Sequence, residues 1–361
     1  MTDKKRKPCN AQTVDAPPRS LPIAEWPIAY QRAWEQACRA GTRLKRGGSA
    51  SRFAQVSRDD FARRIGAYFG FLQRAGRFDQ NAAVAALVTP ANVELYLAEL
   101  NARVRSVTTW NCIYKVRMAA QILDPKADFS WLAEIEKDLA LVMEPRSKFD
   151  RVVLAERLVE AGLILVTEAD LLGKTPFEQS KGIRNGLLIA LLATCPVRIK
   201  NYASLEIGNT FKEEHGDWWI TLPPKSTKMG GGEERPVPDY LYRAIDLYLK
   251  HARPALIGSR PASNSLWISS RTGQRYTTKN LGTLISKITF ETLGVDVSPH
   301  LFRTAAATTA ALYGGENPHL ASALLNHSDS RVTYDRYIRS STIGAVKRLA
   351  DIIRERYNPS D

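Results

Sequence analysis

The residues best suited to chemistry lie in the stretch from Ser298 to Arg339. Proline suits the first turn of a helix and serine is a common cap, so Ser298-Pro299 predicts a helix start. His300 and Arg303 then lie three residues apart on one helix face, where both can reach one anion. Because a helix N-terminus already offers free N–H groups and a positive dipole end, the pair predicts a phosphate site. A solvated, ion-pairing face is the simpler alternative for these two residues alone.

Two further residues in the same stretch favour chemistry over that alternative. His327 follows a pair of leucines, and Tyr337 comes ten residues later between Arg336 and Arg339. Upstream, Arg198 comes directly after an apolar segment and a proline, so core packing is expected to hold it in place for a charged ligand. A buried structural ion pair is the alternative for that arginine.

A glycine-rich turn adds a candidate proton donor. Trp218–Leu222 and Arg235–Pro238 are predicted as short strands, and the turn between them contains Lys225 and Lys228. A lysine on such a turn can reach into a site and deliver a proton. A solvated lysine is the default alternative for either residue.

Composition indicates a folded protein with a polyanionic partner. The chain has 361 residues, which suggests two domains, and 44% of them are hydrophobic. Its net charge is +14 and its pI about 9.7, and basic residues exceed acidic ones in both halves. Nucleic acid is the commonest partner for such a charge, with a membrane surface as the alternative. The longest apolar run, Gly186 to Val197, is far short of the roughly 20 residues that span a bilayer.

The remaining composition favours a reducing cytoplasm. The four cysteines are scattered without paired spacing, which predicts neither a zinc site nor a disulfide framework. No apolar segment follows the basic run Lys4–Lys7, so no secretion signal is expected. Residues 1–20 are polar and read as a disordered basic arm.

Residues 21–145 read as a helical domain with helices at about 23–40, 58–75, from 89 and at 106–123. The last of these helices and the loop after the first carry basic residues that are expected to face outward and contact DNA. Solvated faces are the alternative. The DNA-binding candidates are Arg43, Lys45, Arg46, Arg103, Arg105, Lys115 and Arg117.

Residues 146–361 read as a mixed α/β domain. Helices are predicted at 152–162, 181–193, 239–251 and 278–292, and a third strand near Leu266–Ile268. A final helix over 341–357 is expected to carry Ile343, Val346, Leu349, Ile352 and Ile353 on one face. Docking of that face on a neighbouring protomer and packing within its own chain are both open.

Together these residues resemble the active site of the tyrosine recombinases, the phage integrase family. The segment 332–337 (VTYDRY) resembles the family's Val-Thr-Leu-Asp-Thr-Tyr, and 222–229 (LPPKSTKM) resembles its Ile-Pro-x-x-x-x-Lys-Met form, which favours Lys228 over Lys225. Two positions depart from the family: Asn326 stands for glycine and Asn201 for an acidic residue. The family's catalytic residues match Arg198, Lys228, His300, Arg303, His327 and Tyr337.

The resemblance implies a site-specific DNA recombinase of integrase or excisionase type that forms a 3′-phosphotyrosyl intermediate and needs no cofactor. It also implies a mainly α fold with a small β-sheet, in which a helical core-binding domain and a mixed α/β catalytic domain form a C-shaped clamp on DNA. The expected partners are double-stranded DNA and three further copies in a tetramer, with an accessory directionality factor left open. Relaxation of DNA by a type IB topoisomerase, and a DNA-binding regulator with a vestigial site, are the alternatives.

Overall fold

The computed structural model describes residues 19–144, 149–224, 232–261, 263–313, 324 and 335–357, except for the side chains of 149, 311, 312 and 335–344. Within these ranges the chain is mainly helical with a small sheet, as predicted. It divides into two compact units, Met1–Arg146 and Ser147–Asp361. Among the helices that the structure describes, none combines the length and the apolar character that a membrane span requires.

Helices build the N-terminal unit. They are α1 (Ile28–Cys38), α2 (Gln55–Arg74), α3 (Val84–Leu87), α4 (Pro90–Arg103), α5 (Ser106–Leu123) and α6 (Ser130–Leu141). The predicted first helix is interrupted, because Pro27 pushes Trp26 into an extended conformation between a 3-10 turn and α1. At α4, the Thr89 side chain accepts a hydrogen bond from the Asn92 N–H, which caps the helix ahead of Pro90.

Aromatic side chains fill the core of this unit. The predicted apolar face of Trp26, Tyr30 and Trp34 is confirmed as buried. Trp26 meets Trp34 and Phe69 edge to face, with ring centroids 5.9 and 5.7 Å apart. Such pairs stabilise a core beyond the area they bury, so α1 is held firmly against α2.

The C-terminal unit surrounds a small sheet with helices. The strands are β1 (Phe211–Glu214), β2 (Asp217–Leu222) and β3 (Glu233–Pro236). The helices are α7 (Ala155–Thr167), α8 (Ala169–Leu172), α9 (Pro176–Thr194), α10 (Ile199–Ala203), α11 (Tyr242–Leu247), α12 (Arg253–Ile257), α13 (Thr278–Leu293), α14 (Pro299–Tyr313) and α15 (Asp335–Tyr357). A π-helical turn, Tyr248–Ala252, joins α11 to α12, so the helix predicted over 239–251 continues to Ile257.

Helix α9 forms the centre of this unit. Its residues from Gly186 to Thr194 are all buried, which agrees with their apolar character. It packs against α7 at a pair of glycines, where a methyl group on Gly186 would lie 2.3 Å from the carbonyl oxygen of Gly162. Since no side chain fits at that distance, the two backbones approach more closely than most helix pairs allow. The C-terminal end of α9 thereby has a fixed position ahead of Arg198.

The sheet is antiparallel, with strand order β1-β2-β3. The turn between β1 and β2 contains His215 and Gly216, both with positive φ, as tight hairpins require. Ile220 pairs with Arg235 between β2 and β3, whose connection at 225–231 lies outside the described residues. The predicted strand near Leu266–Ile268 is wrong. Single bridges form there to Glu206 and Arg275, because each neighbouring segment meets it at one residue only.

Helix α15 packs on its own chain. It contacts β3, α7 and α14, and Val346, Leu349, Ile352 and Ile353 are buried in the core of the C-terminal unit. These four side chains therefore follow the second of the two open alternatives, packing within their own chain, where the apolar area is covered. The helix also begins at Asp335, six residues earlier than predicted.

Candidate active site

Arg198 lies where core packing ends. It follows Cys195 and Val197, both buried, and it is the N-cap residue of α10. Burial raises the pKa of the Cys195 thiol to about 12, so this cysteine acts as a core residue rather than a nucleophile. Arg198 itself is partly exposed, and its guanidinium has no hydrogen bond or ion pair within the described part of the chain. The alternative reading, a buried structural ion pair, is therefore not met within those ranges, and the group can accept an anion without losing a partner there.

His300 and Arg303 lie at the start of α14. As predicted, the helix begins at Pro299, and the Leu301 N–H bonds the Ser298 carbonyl oxygen at 2.8 Å. His300 is exposed, whereas Arg303 one turn later is only 7% exposed. One face of α14 thus presents an imidazole to solvent and sends a guanidinium into the interior.

A hydrogen bond joins α14 to the loop that precedes Arg198. The Arg303 Nη1 donates to the Pro196 carbonyl oxygen at 2.5 Å. Pro196 is two residues ahead of Arg198, so this contact brings the two predicted catalytic arginines together from positions far apart in sequence. Charge-assisted bonds of this kind are among the stronger ones in proteins.

The site is strongly positive. The pKa of the Arg303 guanidinium is lowered to about 10, first by burial and then by the charges of Arg235 and Arg198. The Glu233 carboxylate opposes that shift. Arg303 stays protonated at neutral pH, since its pKa remains well above 7. Three arginines around one carboxylate leave an excess of positive charge, which a bound phosphate would neutralise.

Arg235 is a member of this cluster that the sequence did not predict. Its side chain is fully buried, and its Nε donates to the Glu233 Oε1 at 2.5 Å. Its Nη2 donates to the Leu324 carbonyl oxygen at 2.9 Å, and its Nη1 is buried without a partner among the described residues. The available signal was the spacing of Glu233 and Arg235, since residues two apart on a strand share one face.

Asn201, where the family usually has an acidic residue, is buried at 2% exposure. Its Nδ2 has no hydrogen-bond partner in the described ranges. It lies on the first turn of α10, three residues after Arg198, so an acid here would be within reach of that arginine. The amide cannot provide the missing counter-charge, which agrees with the absence of an ion pair at Arg198 among the residues that the structure describes.

Three of the predicted catalytic side chains are not described. Lys228, with the competing Lys225, and His327 lie outside the described residues. Tyr337 lies in the first turn of α15, but its side chain is outside the description. The structure brings together Arg198 and Arg303 and places His300 on the same helix as Arg303. The catalytic roles of all six residues stay predictions.

The loop candidates for DNA contact in the N-terminal unit face solvent. Arg43, Lys45 and Arg46 are exposed between α1 and α2. Arg105, at the N-cap of α5, is also exposed. None of these four side chains has an ion pair among the residues that the structure describes, so each can meet a phosphate without losing an internal partner.

The candidates on and near α5 divide into two groups. Arg103 is exposed and pairs with Glu99 at 3.2 Å. The expectation that Lys115 and Arg117 face outward freely is not met, because both are partly buried in ion pairs inside the unit. Lys115 pairs with Asp60, and Arg117 donates to both carboxylate oxygens of Glu136, at 2.6 and 3.0 Å. DNA contact by these two residues stays a prediction. Either residue would have to give up its internal ion pair to reach DNA.

Comparison with known proteins identifies a family domain in this chain. Residues 164–342 match the model of the phage integrase family, and the match includes every predicted catalytic residue. Among solved structures, the crystal structure of XerA recombinase aligns with 91% of this chain and 97% of its own, at 16% identity and a TM-score of 0.33. No curated protein sequence matches the chain. Residues 164–342 are therefore a domain of the phage integrase family, and the protein is a tyrosine recombinase, an enzyme that breaks and rejoins DNA strands.

Proposed function

We propose that this chain is a site-specific recombinase of integrase or excisionase type, with Tyr337 as its nucleophile. The observation that carries the proposal is the contact of Arg303 with the loop before Arg198, within a cluster that has excess positive charge. Such a cluster suits the crowded negative charge of a phosphodiester that is being displaced at phosphorus. His300, one turn before Arg303, supplies an exposed imidazole beside it.

In the proposed reaction the Tyr337 phenolate attacks phosphorus and the 5′ oxygen departs, which leaves a 3′-phosphotyrosyl bond. Arg198 and Arg303 hold the non-bridging oxygens. An unperturbed phenol has a pKa of about 10, so the nucleophile needs a proton acceptor, for which His300 is the candidate. The covalent bond retains the energy of the phosphodiester, and a second strand can therefore be joined by reversal.

Two further groups complete the proposed chemistry. Lys228 protonates the departing 5′ oxygen, and His327 donates a hydrogen bond to a phosphate oxygen. Both are close in sequence to residues of the described cluster. Glu233, which begins β3, follows Lys228 by five residues, and Leu324 precedes His327 by three residues.

We propose that both units bind DNA. The exposed loop with Arg43, Lys45 and Arg46 supports this role for the N-terminal unit, which we regard as the core-binding domain, residues 21–145. The catalytic domain is then 146–361. We also propose a tetramer on synapsed DNA, since exchange of four strands needs four nucleophiles. The face of α15 that is buried in its own chain does not serve as the tetramer contact.

The test is covalent trapping on nicked half-site duplexes taken from the DNA that flanks the gene. The reaction is run in EDTA and read as a slower band on a denaturing gel. We expect an adduct with wild type and none with Tyr337→Phe. Tyr334→Phe, which removes the nearest other tyrosine in the sequence, should give as much adduct as wild type.

Each other outcome contradicts part of the proposal. An adduct with Tyr337→Phe would assign the nucleophile elsewhere. Bound DNA without any wild-type adduct would refute the phosphotyrosyl mechanism. If a supercoiled plasmid that lacks any flanking site is relaxed as fast as one that contains a site, a topoisomerase is favoured over a site-specific recombinase.

A further inference from the structure

We propose that Arg235, together with Glu233, is a positioning residue for Lys228 and His327: it ties the start of β3, five residues after Lys228 in sequence, to Leu324, three residues before His327. This inference rests on the proposed function, in which those two residues act on the phosphate. Arg235 does not touch DNA, because its side chain is fully buried. It acts through the backbone and the carboxylate that it bonds.

The bonds of Arg235 join two segments that are distant in sequence. Its Nε and Nη2 both bond the Glu233 carboxylate, which is itself buried at 6% exposure. The same Nη2 donates to the Leu324 carbonyl oxygen at 2.9 Å. One rigid guanidinium therefore ties the start of β3 to the chain beyond α14.

Both tied positions lie close to a predicted catalytic group. Leu324 is three residues before His327, and an extended chain of that length reaches about 10 Å at most. Lys228 is five residues before Glu233, and the far strand of its hairpin, β2, is fixed to β3 by the pairing of Leu222 with Glu233. Fixing these anchors limits where both groups can go.

Stability alone does not explain why a buried Arg235–Glu233 ion pair occupies this position. A buried ion pair is often no more stabilising than a well-packed apolar pair of the same volume, and its best-attested use is to fix one arrangement among several. Arg235 also has a buried Nη1 without a partner in the described ranges, beside the like charge of Arg303. A residue present only for packing would not need that charge at the phosphate site.

The test is single-turnover cleavage by the full-length protein on the nicked duplex, with Arg235→Lys as the first variant. Lysine keeps the charge but lacks the fork that bonds Glu233 and Leu324 together. We expect cleavage of bound DNA to slow about tenfold to a hundredfold, since a misplacement near 1 Å has that effect. DNA affinity should stay at the wild-type value.

Arg184→Lys is the matched control. Arg184 is also buried in the C-terminal unit, at 2% exposure, but it bonds Asn185, Ile268 and Tyr276 instead of the site segments. Its replacement should leave the cleavage rate close to wild type. Glu233→Gln, which keeps the shape and removes the charge, should reproduce the slow cleavage of Arg235→Lys.

A positioning role is separated from a structural one by repeating Arg235→Lys in Lys228→Ala and His327→Ala backgrounds. Positioning has no effect on a group that is absent, so the loss should shrink in both backgrounds. An undiminished loss in either background, an unchanged rate, or a loss matched by lower DNA affinity would overturn the inference. A wild-type adduct with an unchanged Arg235→Lys rate removes this inference alone, whereas absence of the wild-type adduct removes the proposed function with it.

Discussion

From the close approach of α7 and α9 we predict that alanine substitutions at two glycines of α9 change the free energy of unfolding in opposite directions. Alanine is favoured over glycine inside a helix by roughly 0.5–1 kcal/mol. At Gly182 an added methyl group meets ordinary contacts, with the nearest atoms at 3.5 Å. Gly182→Ala should therefore raise the free energy of unfolding of the C-terminal unit by about that amount, roughly 0.5–1 kcal/mol.

Gly186→Ala should have the opposite sign. Its methyl group would lie 2.3 Å from the Gly162 carbonyl oxygen and 2.7 Å from the Val166 Cγ2. The oxygen belongs to the backbone and cannot rotate away, so the helices must separate. Overpacking of this kind costs about 1–3 kcal/mol and outweighs the gain in helix propensity. For a unit of this size, each kcal/mol shifts Tm by roughly 2–4 °C.

Scanning calorimetry of the full chain measures both variants, and hydrogen exchange of α9 amides assigns the transition to the C-terminal unit. Separation of the helices should also move the loop that carries Arg198, so Gly186→Ala should slow cleavage at temperatures where the protein is folded. Gly182→Ala should cleave at the wild-type rate. A rise in Tm for both variants would refute the close helix contact, and a normal cleavage rate in Gly186→Ala would refute its link to Arg198.

Four further predictions concern DNA chemistry, DNA binding and stability. Arg303→Lys should lower the cleavage rate about 10²- to 10³-fold in single-turnover assays, because the second guanidinium is lost from the phosphate. Arg46→Ala should lower the slope of log affinity against log salt concentration by about 1 in DNA-binding titrations, as expected for one lost phosphate contact. Lys115→Ala should lower Tm, because it removes the partly buried ion pair of Lys115 with Asp60. An equimolar mixture of Tyr337→Phe and Arg303→Lys should give no more adduct than Arg303→Lys alone, since the burial of α15 in its own chain favours attack by Tyr337 within that chain.

Sequence patterns predicted elements whose signals are local. Helix α5 has the predicted bounds, Ser106–Leu123, because its apolar periodicity is complete. Pro299 likewise placed His300 and Arg303 on one helix face. Strand β1 was not predicted, because Phe211–Glu214 has one apolar residue among charged ones and forms only through pairing with β2.

The sequence predicted only those residues of the candidate site that belong to a recognisable phosphate-binding pattern. Arg235 was missed because its role depends on contacts that no local pattern encodes. In sequence it is one charged residue on a strand, and such residues usually face solvent. Its burial and its hydrogen bond to the Leu324 carbonyl oxygen, 89 positions away in sequence, form only in the folded chain. The pairing of Arg117 with Glu136 was missed for the same reason, since α6 was not predicted.

The position of α15 restricts how Tyr337 can reach a phosphate. Val346 and Leu349 are completely buried in the core of the same chain. Val346 is nine residues beyond Tyr337, which corresponds to about 14 Å along the helix axis. For the tyrosine to act in another protomer, the helix would have to break within that length or leave the core, and burial of each large aliphatic side chain contributes about 1.5–3 kcal/mol. The cost of removing several such side chains favours a nucleophile that attacks the DNA held by its own arginines.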